Sequence, residues 1–426
     1  MSDYLQTTKI GDGVNFNSII DSRFKTNRIS FNLITELKKE SVTKNAIIPF
    51  LLKKGYDGCS DFTAFNRELE RLYGAYVSAY IQKVGDYQIM SLSITGIDDK
   101  FVFDNDSVTN HISTILSKMV LNPILENGEF VSKDVELEKT ALVDTIEAEI
   151  NDKRIYAINN LVKVMCEEEP FGVPKYGYTD DVLNLTPAII KEAYDKLLRN
   201  ARIEIMYTGC GNEQIAFNVS KDAFNNVKRE YIELSSIQSH IKSETVKEKT
   251  DLLNVSQSKM VLGFGNVNPS DAQSVIATKL MVAVLGGTPS SKLFVNVREK
   301  LSLCYYCASR YDRFKGIMMI DCGVENQNIT LARNEILAQL DCIKNGDVSD
   351  EEMKNATLSL KNALNTVYDS DIAVESWYIG QVLSNTIVSP IDEAKKLDLV
   401  SKQNIVDAAN HFDLDTVYVL TGSEVE

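Results

Sequence analysis

Histidines and long apolar runs are scarce in this 426-residue chain, and their scarcity limits what it can be. The three histidines, His111, His240 and His411, are too far apart in sequence to form a metal-binding pair on one helix face. A lone histidine is more often solvent-exposed or hydrogen-bonded than a metal ligand. No apolar run approaches the roughly 18 residues of a membrane span. The sequence therefore predicts no metal site and no membrane-spanning helix.

Positive charge is also in deficit, with 45 basic against 60 acidic residues and a formal net charge of −15. Nucleic acids and anionic membrane surfaces are bound by basic patches, so we expect neither as a partner. The seven cysteines are odd in number and widely spaced, which is typical of a reducing compartment. The N-terminal residues have neither the pattern of a secretory signal nor that of a transit peptide. These features predict a cytoplasmic protein.

The two halves of the chain read as copies of one unit. Residues 183–209 and 397–422 both predict a turn, a Thr or Ser cap, an amphipathic helix and an apolar strand that ends in Thr-Gly. Residues 66–94 and 296–324 both predict a helix that runs into a β-hairpin. Hairpins interleaved with helices indicate an α+β fold in which each unit has an antiparallel-rich sheet with helices on one face.

The length of the chain exceeds what one hydrophobic core usually supports, which favours two domains. Residues 225–251 are polar and charged, as expected for a connector. We therefore predict an N-terminal unit at 1–224, a linker at 225–251 and a C-terminal unit at 252–426.

Arg298 and Tyr305 are the first candidate site residues. The sequence predicts a helix over 290–300 that ends in Arg-Glu-Lys, followed at once by a strand with Tyr305. A guanidinium and a phenol on either side of such a turn are suited to hold a peptide carbonyl. Residue types alone leave a second interpretation open, in which the arginine pairs with a surface carboxylate and the tyrosine is half-buried on its strand.

Residues 285–306, LGGTPSSKLFVNVREKLSLCYY, resemble the second half of the pitrilysin-type zinc peptidases, the inverzincins. The resemblance continues at low similarity over residues 25–425. In that family an arginine and a tyrosine of the second half contact substrate and developing negative charge, and they correspond to Arg298 and Tyr305. The family's glycine before the following leucine is Ser302 here. The resemblance implies two units that face each other as a clamshell around an acidic chamber, although the acidic composition fits a solvated surface equally well.

The metal half of the family pattern is missing. The family has H-x-x-E-H on its first long helix, with two zinc ligands and the general base, and a further glutamate ligand on a later helix. At the five motif positions this chain has Ala46, Ile47, Ile48, Pro49 and Phe50. Thr145 stands where the further ligand belongs, with Asp144 beside it. The resemblance therefore implies no catalytic zinc and no cofactor in this chain.

Cys304 and Cys307 form a C-x-x-C motif, and Cys322 falls on what should be the adjacent strand. A structural zinc site needs four ligands, and a redox C-x-x-C lies at a helix N-terminus rather than along a strand. Strand alternation predicts that Cys304 and Cys307 point to opposite faces. We therefore expect these cysteines to be structural.

The family includes heterodimers in which one subunit has H-x-x-E-H and its partner lacks the motif, and in some pairs that partner supplies the arginine and tyrosine. The resemblance predicts a non-catalytic subunit of a cytoplasmic zinc metallopeptidase, with zinc in the partner subunit. Arg298 and Tyr305 would give the shared site its substrate and oxyanion contacts, and the chain would form chamber walls around a peptide substrate. Residues 147–177 further resemble the zinc-less member of a paired bacterial group, the elongation factor P 5-aminopentanol modification-associated proteins. This second resemblance implies a role linked to that modification.

Two other functions remain open at this point. One is a stand-alone peptide-binding clamshell without peptidase activity. The other is an enzyme that uses its cysteines, which is disfavoured because no cysteine is paired with a histidine and an Asn or Asp at a recognisable spacing.

Overall fold

Strands and helices follow the spacing of apolar residues in the computed structural model, which describes residues 4–103, 106–267 and 275–422. The strands of these ranges are β1 (Leu5–Gly11), β2 (Val14–Ile20), β3 (Thr26–Glu36), β4 (Tyr76–Val84), β5 (Tyr87–Ile97), β6 (Leu125–Glu126), β7 (Glu129–Phe130), β8 (Arg202–Gly209), β9 (Lys247–Leu252), β10 (Ser258–Asn266), β11 (Cys304–Asp312), β12 (Ile317–Val324) and β13 (Phe412–Thr421).

The α-helices of the same ranges are α1 (Lys39–Ala46), α2 (Ile48–Leu52), α3 (Phe62–Arg71), α4 (Val108–Leu121), α5 (Ser132–Ala148), α6 (Lys153–Met165), α7 (Thr179–Leu183), α8 (Pro187–Asn200), α9 (Glu213–Phe224), α10 (Val275–Val282), α11 (Ile329–Lys344), α12 (Asp350–Thr366), α13 (Asp371–Leu383), α14 (Pro390–Leu397) and α15 (Lys402–Asn410). π-Helical segments cover Ala283–Gly287 and Leu293–Lys300.

The first compact unit consists of Met1–Glu147, Val173–Ser236 and Asp369–Ile387. Its main sheet has the order β1-β2-β8-β3-β5-β4 and is antiparallel except for the β2–β8 pair. Along β3, alternate side chains such as Phe31 join the apolar core with the helices, whereas those between them, such as Ser30, point to the other face.

The second compact unit consists of Ala148–Gly172, Ile237–Tyr368 and Val388–Glu426. Its sheet has the order β11-β12-β10-β13-β9 and is antiparallel except for the β13–β9 pair. Helix α6 packs closely on this sheet at Gly263 of β10, where an added Cβ would lie 2.7 Å from the Met165 sulfur. Both units are therefore α+β, as the sequence predicts.

The predicted repeat is visible in matching elements of the two halves. Helix α8 begins after Thr186 and α15 after Ser401, and each of these side chains accepts a backbone N–H of the first turn. The strands that follow are β8 and β13. Helix α3 runs into the β4–β5 hairpin, and the second π-helical segment runs into the β11–β12 hairpin. These elements thus follow the same order in the two halves of the chain.

Each compact unit includes one helix from the other half of the sequence. Helix α13 belongs to the first unit, where Glu375 accepts a hydrogen bond of 2.7 Å from the Arg28 Nε of β3, with both side chains at most 3% exposed. Helix α6 belongs to the second unit, where Arg154 pairs with the buried Asp321 of β12 at 2.5 Å. The compact units of the structure therefore contain different residues from the predicted segments 1–224, 225–251 and 252–426. Those segments stay a prediction about the repeat in the sequence.

Candidate functional site

The turn between Arg298 and Tyr305 has a left-handed backbone residue at its centre. The π-helical segment with Arg298 ends at Lys300, β11 begins at Cys304, and Ser302 between them has φ +51°. In the first unit, Gly74 has φ +77° in the turn between α3 and β4. Glycine adopts this conformation at little cost and serine does not. The turn thus explains why the resembled family has glycine at the position of Ser302.

A β-bulge follows at the start of β11. Cys304 pairs with Val324 and Tyr306 pairs with Gly323, so Tyr305 is an extra residue opposite the β12 ladder. The Tyr305 side chain is consequently turned outward and is 75% exposed. The tyrosine of the alternative interpretation is thus exposed rather than half-buried, whereas its arginine does lie beside a surface carboxylate, that of Glu299.

Arg298 and Tyr305 line the same open cavity, which has a volume of about 400 Å³. Its lining residues are Gln257, Arg298, Glu299, Ser302, Leu303, Cys304, Tyr305, Gly323 and Glu325. The Arg298 guanidinium lies 4.4 Å from the centre of the Phe294 ring, and its Nε is 3.7 Å from Glu299 Oε1. The aromatic stack orients the arginine while about a third of its side chain stays exposed. The structure thus brings the predicted pair together at one surface that a ligand can reach.

The prediction that Cys304 and Cys307 point to opposite faces is wrong. The bulge at Tyr305 adds one residue to the strand, so both cysteines become buried on the same face and each affects the pKa of the other. Cys307 lies directly opposite Cys322 of β12. Three thiols therefore form one cluster beside the cavity, and Cys304 is the member that lines it.

The positions of the family's zinc motif do not fit a metal ion. Ala46, Ile47, Ile48 and Pro49 are buried, and three of them are at most 1% exposed within the apolar core of the first unit. Pro49 also lacks a backbone N–H, and the helix is interrupted at Ile47, between α1 and α2. Thr145 is exposed and donates its hydroxyl to the Ala141 carbonyl at 2.7 Å. Zinc therefore has no ligand side chains at this position.

A buried polar cluster that the sequence did not reveal surrounds His240. Its Nδ1 hydrogen-bonds to Glu169, its Nε2 lies 3.3 Å from Asp415 Oδ2, and the Cys166 sulfur lies 3.8 Å from Nδ1. The buried Lys315 adds a second cation, 2.8 Å from Glu169 Oε2. Cys166, Glu169 and His240 place three potential metal-ligating atoms within 4.8 Å of one another. These three residues are up to 74 positions apart in sequence, and their spacing matches no metal-binding motif. No sequence signal could therefore have found them.

Charge pairing explains this cluster without a metal ion. Burial by itself lowers the pKa of His240, but hydrogen bonds with Asp415, Cys166 and Glu169 outweigh burial and raise this pKa to about 11. Burial raises the pKa of Asp415, but hydrogen bonds from His240, the Ser243 N–H and Thr416 lower it to about 2. Two cations thus face two carboxylates, and both imidazole nitrogens are engaged. The cluster fastens residue 240, within the predicted linker, to the sheet of the second unit.

Comparison with known proteins shows what this chain is similar to. A family model described as the peptidase M16 inactive domain matches residues 184–360. The chain is 28% identical over 415 residues to a probable inactive metalloprotease, YmfF, of Bacillus subtilis, with 97% of this chain and 96% of the relative covered. Over most of its length the chain is thus similar to peptidases of the M16 type and to their inactive relatives.

Three further comparisons cover most of the chain. The mitochondrial-processing peptidase subunit beta of Saccharomyces cerevisiae is 24% identical over 395 residues, with 88% of this chain and 81% of the relative covered. The crystal structure of a conserved protein from Enterococcus faecalis has a TM-score of 0.90 at 24% identity, with both chains fully covered. That of a peptidase M16 inactive domain from Pseudomonas fluorescens has a TM-score of 0.78 at 16% identity, with 98% of each chain covered.

The M16 similarity and the state of the motif positions agree with each other. The matched family model and the Bacillus relative both have "inactive" in their descriptions. These descriptions agree with the apolar residues that this chain has at the motif positions. Within the described residues, every helix is too short or too polar to cross a membrane.

Proposed function

We propose that this chain is the non-catalytic subunit of a cytoplasmic zinc metallopeptidase, and that it pairs with a homologue that has H-x-x-E-H. One observation carries the proposal. The metal positions have been absorbed into the apolar core, whereas Arg298 and Tyr305 line an open cavity. If all function had been lost, random substitution would affect the metal positions and the Arg298–Tyr305 pair equally.

The two retained side chains suit a supporting role in peptide cleavage. Arg298 has a permanent charge and a planar set of donors, and the Phe294 ring orients it. Tyr305 adds an O–H group on an exposed bulge. Together they would hold a peptide carbonyl and the negative charge that develops on it, while zinc and the general base belong to the partner. The relative named as subunit beta of a processing peptidase supports a subunit role.

Co-expression with an H-x-x-E-H homologue from the same genome tests the proposal. We expect cleavage of a mixed peptide library by the complex and by neither chain alone. Arg298→Ala should leave assembly intact and lower turnover by about 10²–10³-fold, as for other lost oxyanion donors. Arg333→Ala is the matched control, because this arginine pairs with Glu248 outside the cavity lining. Undiminished cleavage by the Arg298→Ala complex would refute the shared site.

The alternative is a stand-alone peptide-binding protein without peptidase activity. It predicts that the isolated chain binds peptides and that binding does not depend on Arg298. Residues 147–177 support a further proposal, a role in processing the elongation factor P modification. Intact mass measurement of elongation factor P from a strain that lacks this chain should then show altered modification.

A further inference from the structure

We propose that Cys304 is a nucleophilic thiol of the Arg298 cavity and that it forms mixed disulfides with small uncharged disulfides. This site is distinct from the proposed subunit role, because it requires neither the partner nor a peptide. The sequence predicts a structural role for the C-x-x-C motif, and the bulge removes one of the three grounds for that prediction, the opposite-face geometry.

Access to Cys304 comes from the cavity. The residue as a whole is only 8% exposed, but it belongs to the cavity lining, whereas Cys307 and Cys322 do not. A volume of about 400 Å³ accommodates a small organic substituent on the sulfur. A reagent in the cavity therefore meets one thiol of the cluster, with the other two behind it.

The surroundings of Cys304 favour its thiolate. The hydrogen bond with Cys307 lowers the pKa of Cys304, burial opposes this effect, and the Arg298 charge lowers the pKa further. The pKa of Cys307 is raised well above its ordinary value by hydrogen bonds with Cys304 and Cys322 and by burial. Cys307 thus stays a thiol and donates its proton toward Cys304. The cluster is an activated nucleophile with a fixed donor.

The other charged groups at the cavity define the class of electrophile. Glu299 and Glu325 line it together with Arg298, so two carboxylates face one cation. Behind the cluster, Lys259 lies close enough to Cys322 for their charges to interact. An anionic reagent would meet the net negative charge of the lining, and an uncharged disulfide would not.

The reaction is an ordinary thiol–disulfide exchange. The Cys304 thiolate attacks one sulfur of R–S–S–R, a new S–S bond joins Cys304 to S–R, and the original S–S bond breaks. The bonding pair leaves with the second sulfur as R–S⁻, which takes a proton from water. No further oxidant is required. The adduct would lie beside Arg298 and Tyr305 and occupy part of their cavity.

The test uses the isolated full-length chain and 2-hydroxyethyl disulfide, with adducts located by peptide mapping and mass spectrometry from pH 6 to 9. Cys342, a partly exposed thiol outside the cluster, serves as the internal reference. We expect Cys304 to react about tenfold faster than Cys342 at pH 7, since the thiolate is the reacting form. Arg298→Gln and Cys307→Ala should each slow Cys304 and move its pH profile to higher pH, whereas Arg333→Gln should change neither.

Two results would overturn the assignment. One is a Cys304 that reacts no faster than Cys342, and the other is a pH profile unchanged by both Arg298→Gln and Cys307→Ala. Circular dichroism of each variant establishes that it is folded before its rates are compared. These rates are measured on the isolated chain. A negative result for Cys304 is therefore distinguishable from a negative result for the proposed peptidase complex.

Discussion

Ser302 holds a backbone conformation that suits glycine better. A residue with a Cβ at φ +51° pays about 1–2 kcal/mol relative to the right-handed conformation, and Ser302 adopts it because the turn must join the π-helical segment to β11. This position connects the segment of Arg298 to the strand of Tyr305. The geometry of the candidate pair therefore depends on a locally strained residue.

Ser302→Gly should stabilise the chain. Relief of the strained conformation exceeds the extra freedom that glycine gives the unfolded chain, so we expect a gain of about 0.5–1 kcal/mol in the free energy of unfolding. Urea unfolding monitored by circular dichroism measures this gain. Ser302→Ala keeps the Cβ and removes the hydroxyl, so it should give no gain. A Gly variant no more stable than the Ala variant would show that the turn is relaxed.

The His240 cluster makes stability depend on pH. The pKa of His240 is raised to about 11 from an ordinary value of 6.5, so its contribution is complete below about pH 6.5 and is lost as the pH rises toward 11. Comparison of the wild type with His240→Gln by urea unfolding should show a difference that shrinks by at least about 1 kcal/mol between pH 6 and pH 10. A constant difference over this range would mean that the imidazole is neutral in the folded protein.

At the scale of elements, the packing of the motif positions against the apolar core is as important as the missing ligands. Two histidines at i and i+4 bind zinc when they share one face of an uninterrupted helix. Here both of the ligand positions, Ala46 and Phe50, pack against the apolar core and do not point into a site that a metal ion could reach. Restoration of the residue types should therefore not restore the site.

The double variant Ala46→His/Phe50→His should not bind zinc. Burial of imidazoles without hydrogen-bond partners should also lower the free energy of unfolding by about 2 kcal/mol or more. Zinc binding by calorimetry and urea unfolding with and without zinc provide the measurements. Lys354→His/Leu358→His on the continuous helix α12, where both positions are exposed, is the matched control and should bind zinc weakly. Tight zinc binding by the Ala46/Phe50 variant would contradict this account.

Sequence patterns predicted the elements better than their finer geometry. Caps at Thr186 and Ser401 and the alternation along the hairpins are local signals, so the repeat and the α+β class followed from them. The bulge at Tyr305 adds one residue and reverses the alternation, and no residue type in CYYC marks it. The His240 cluster and the exchanged helices depend on contacts between distant segments, which local patterns do not specify.

At the scale of the whole molecule, each compact unit contains residues from both halves of the sequence, because α6 belongs to the second unit and α13 to the first. Without α13, Arg28 would lose the carboxylate that neutralises it, and the polar face of β3 would be left uncovered. The first unit is therefore incomplete in any fragment that ends before residue 369.

Fragments 1–236 and 237–426 should each fail to unfold cooperatively when purified alone. Mixed or co-expressed, they should associate and recover a cooperative transition, because each supplies the helix that the other unit lacks. Thermal circular dichroism and size-exclusion chromatography measure these properties. A fragment 1–236 that unfolds cooperatively by itself, near the midpoint of the intact chain, would show that α13 is dispensable for the first unit.

The exchange of α13 also imposes an order of events during synthesis. The sheet of the first unit is complete once residue 236 has left the ribosome, but the helix that covers its polar face ends at residue 383. At about 5–20 residues per second, the intervening stretch of about 150 residues takes roughly 8–30 s to translate. Throughout that interval Arg28 and its neighbours on β3 stay in water or against a chaperone. The N-terminal half is thus synthesised first, but its packing is completed only after α13 has been synthesised.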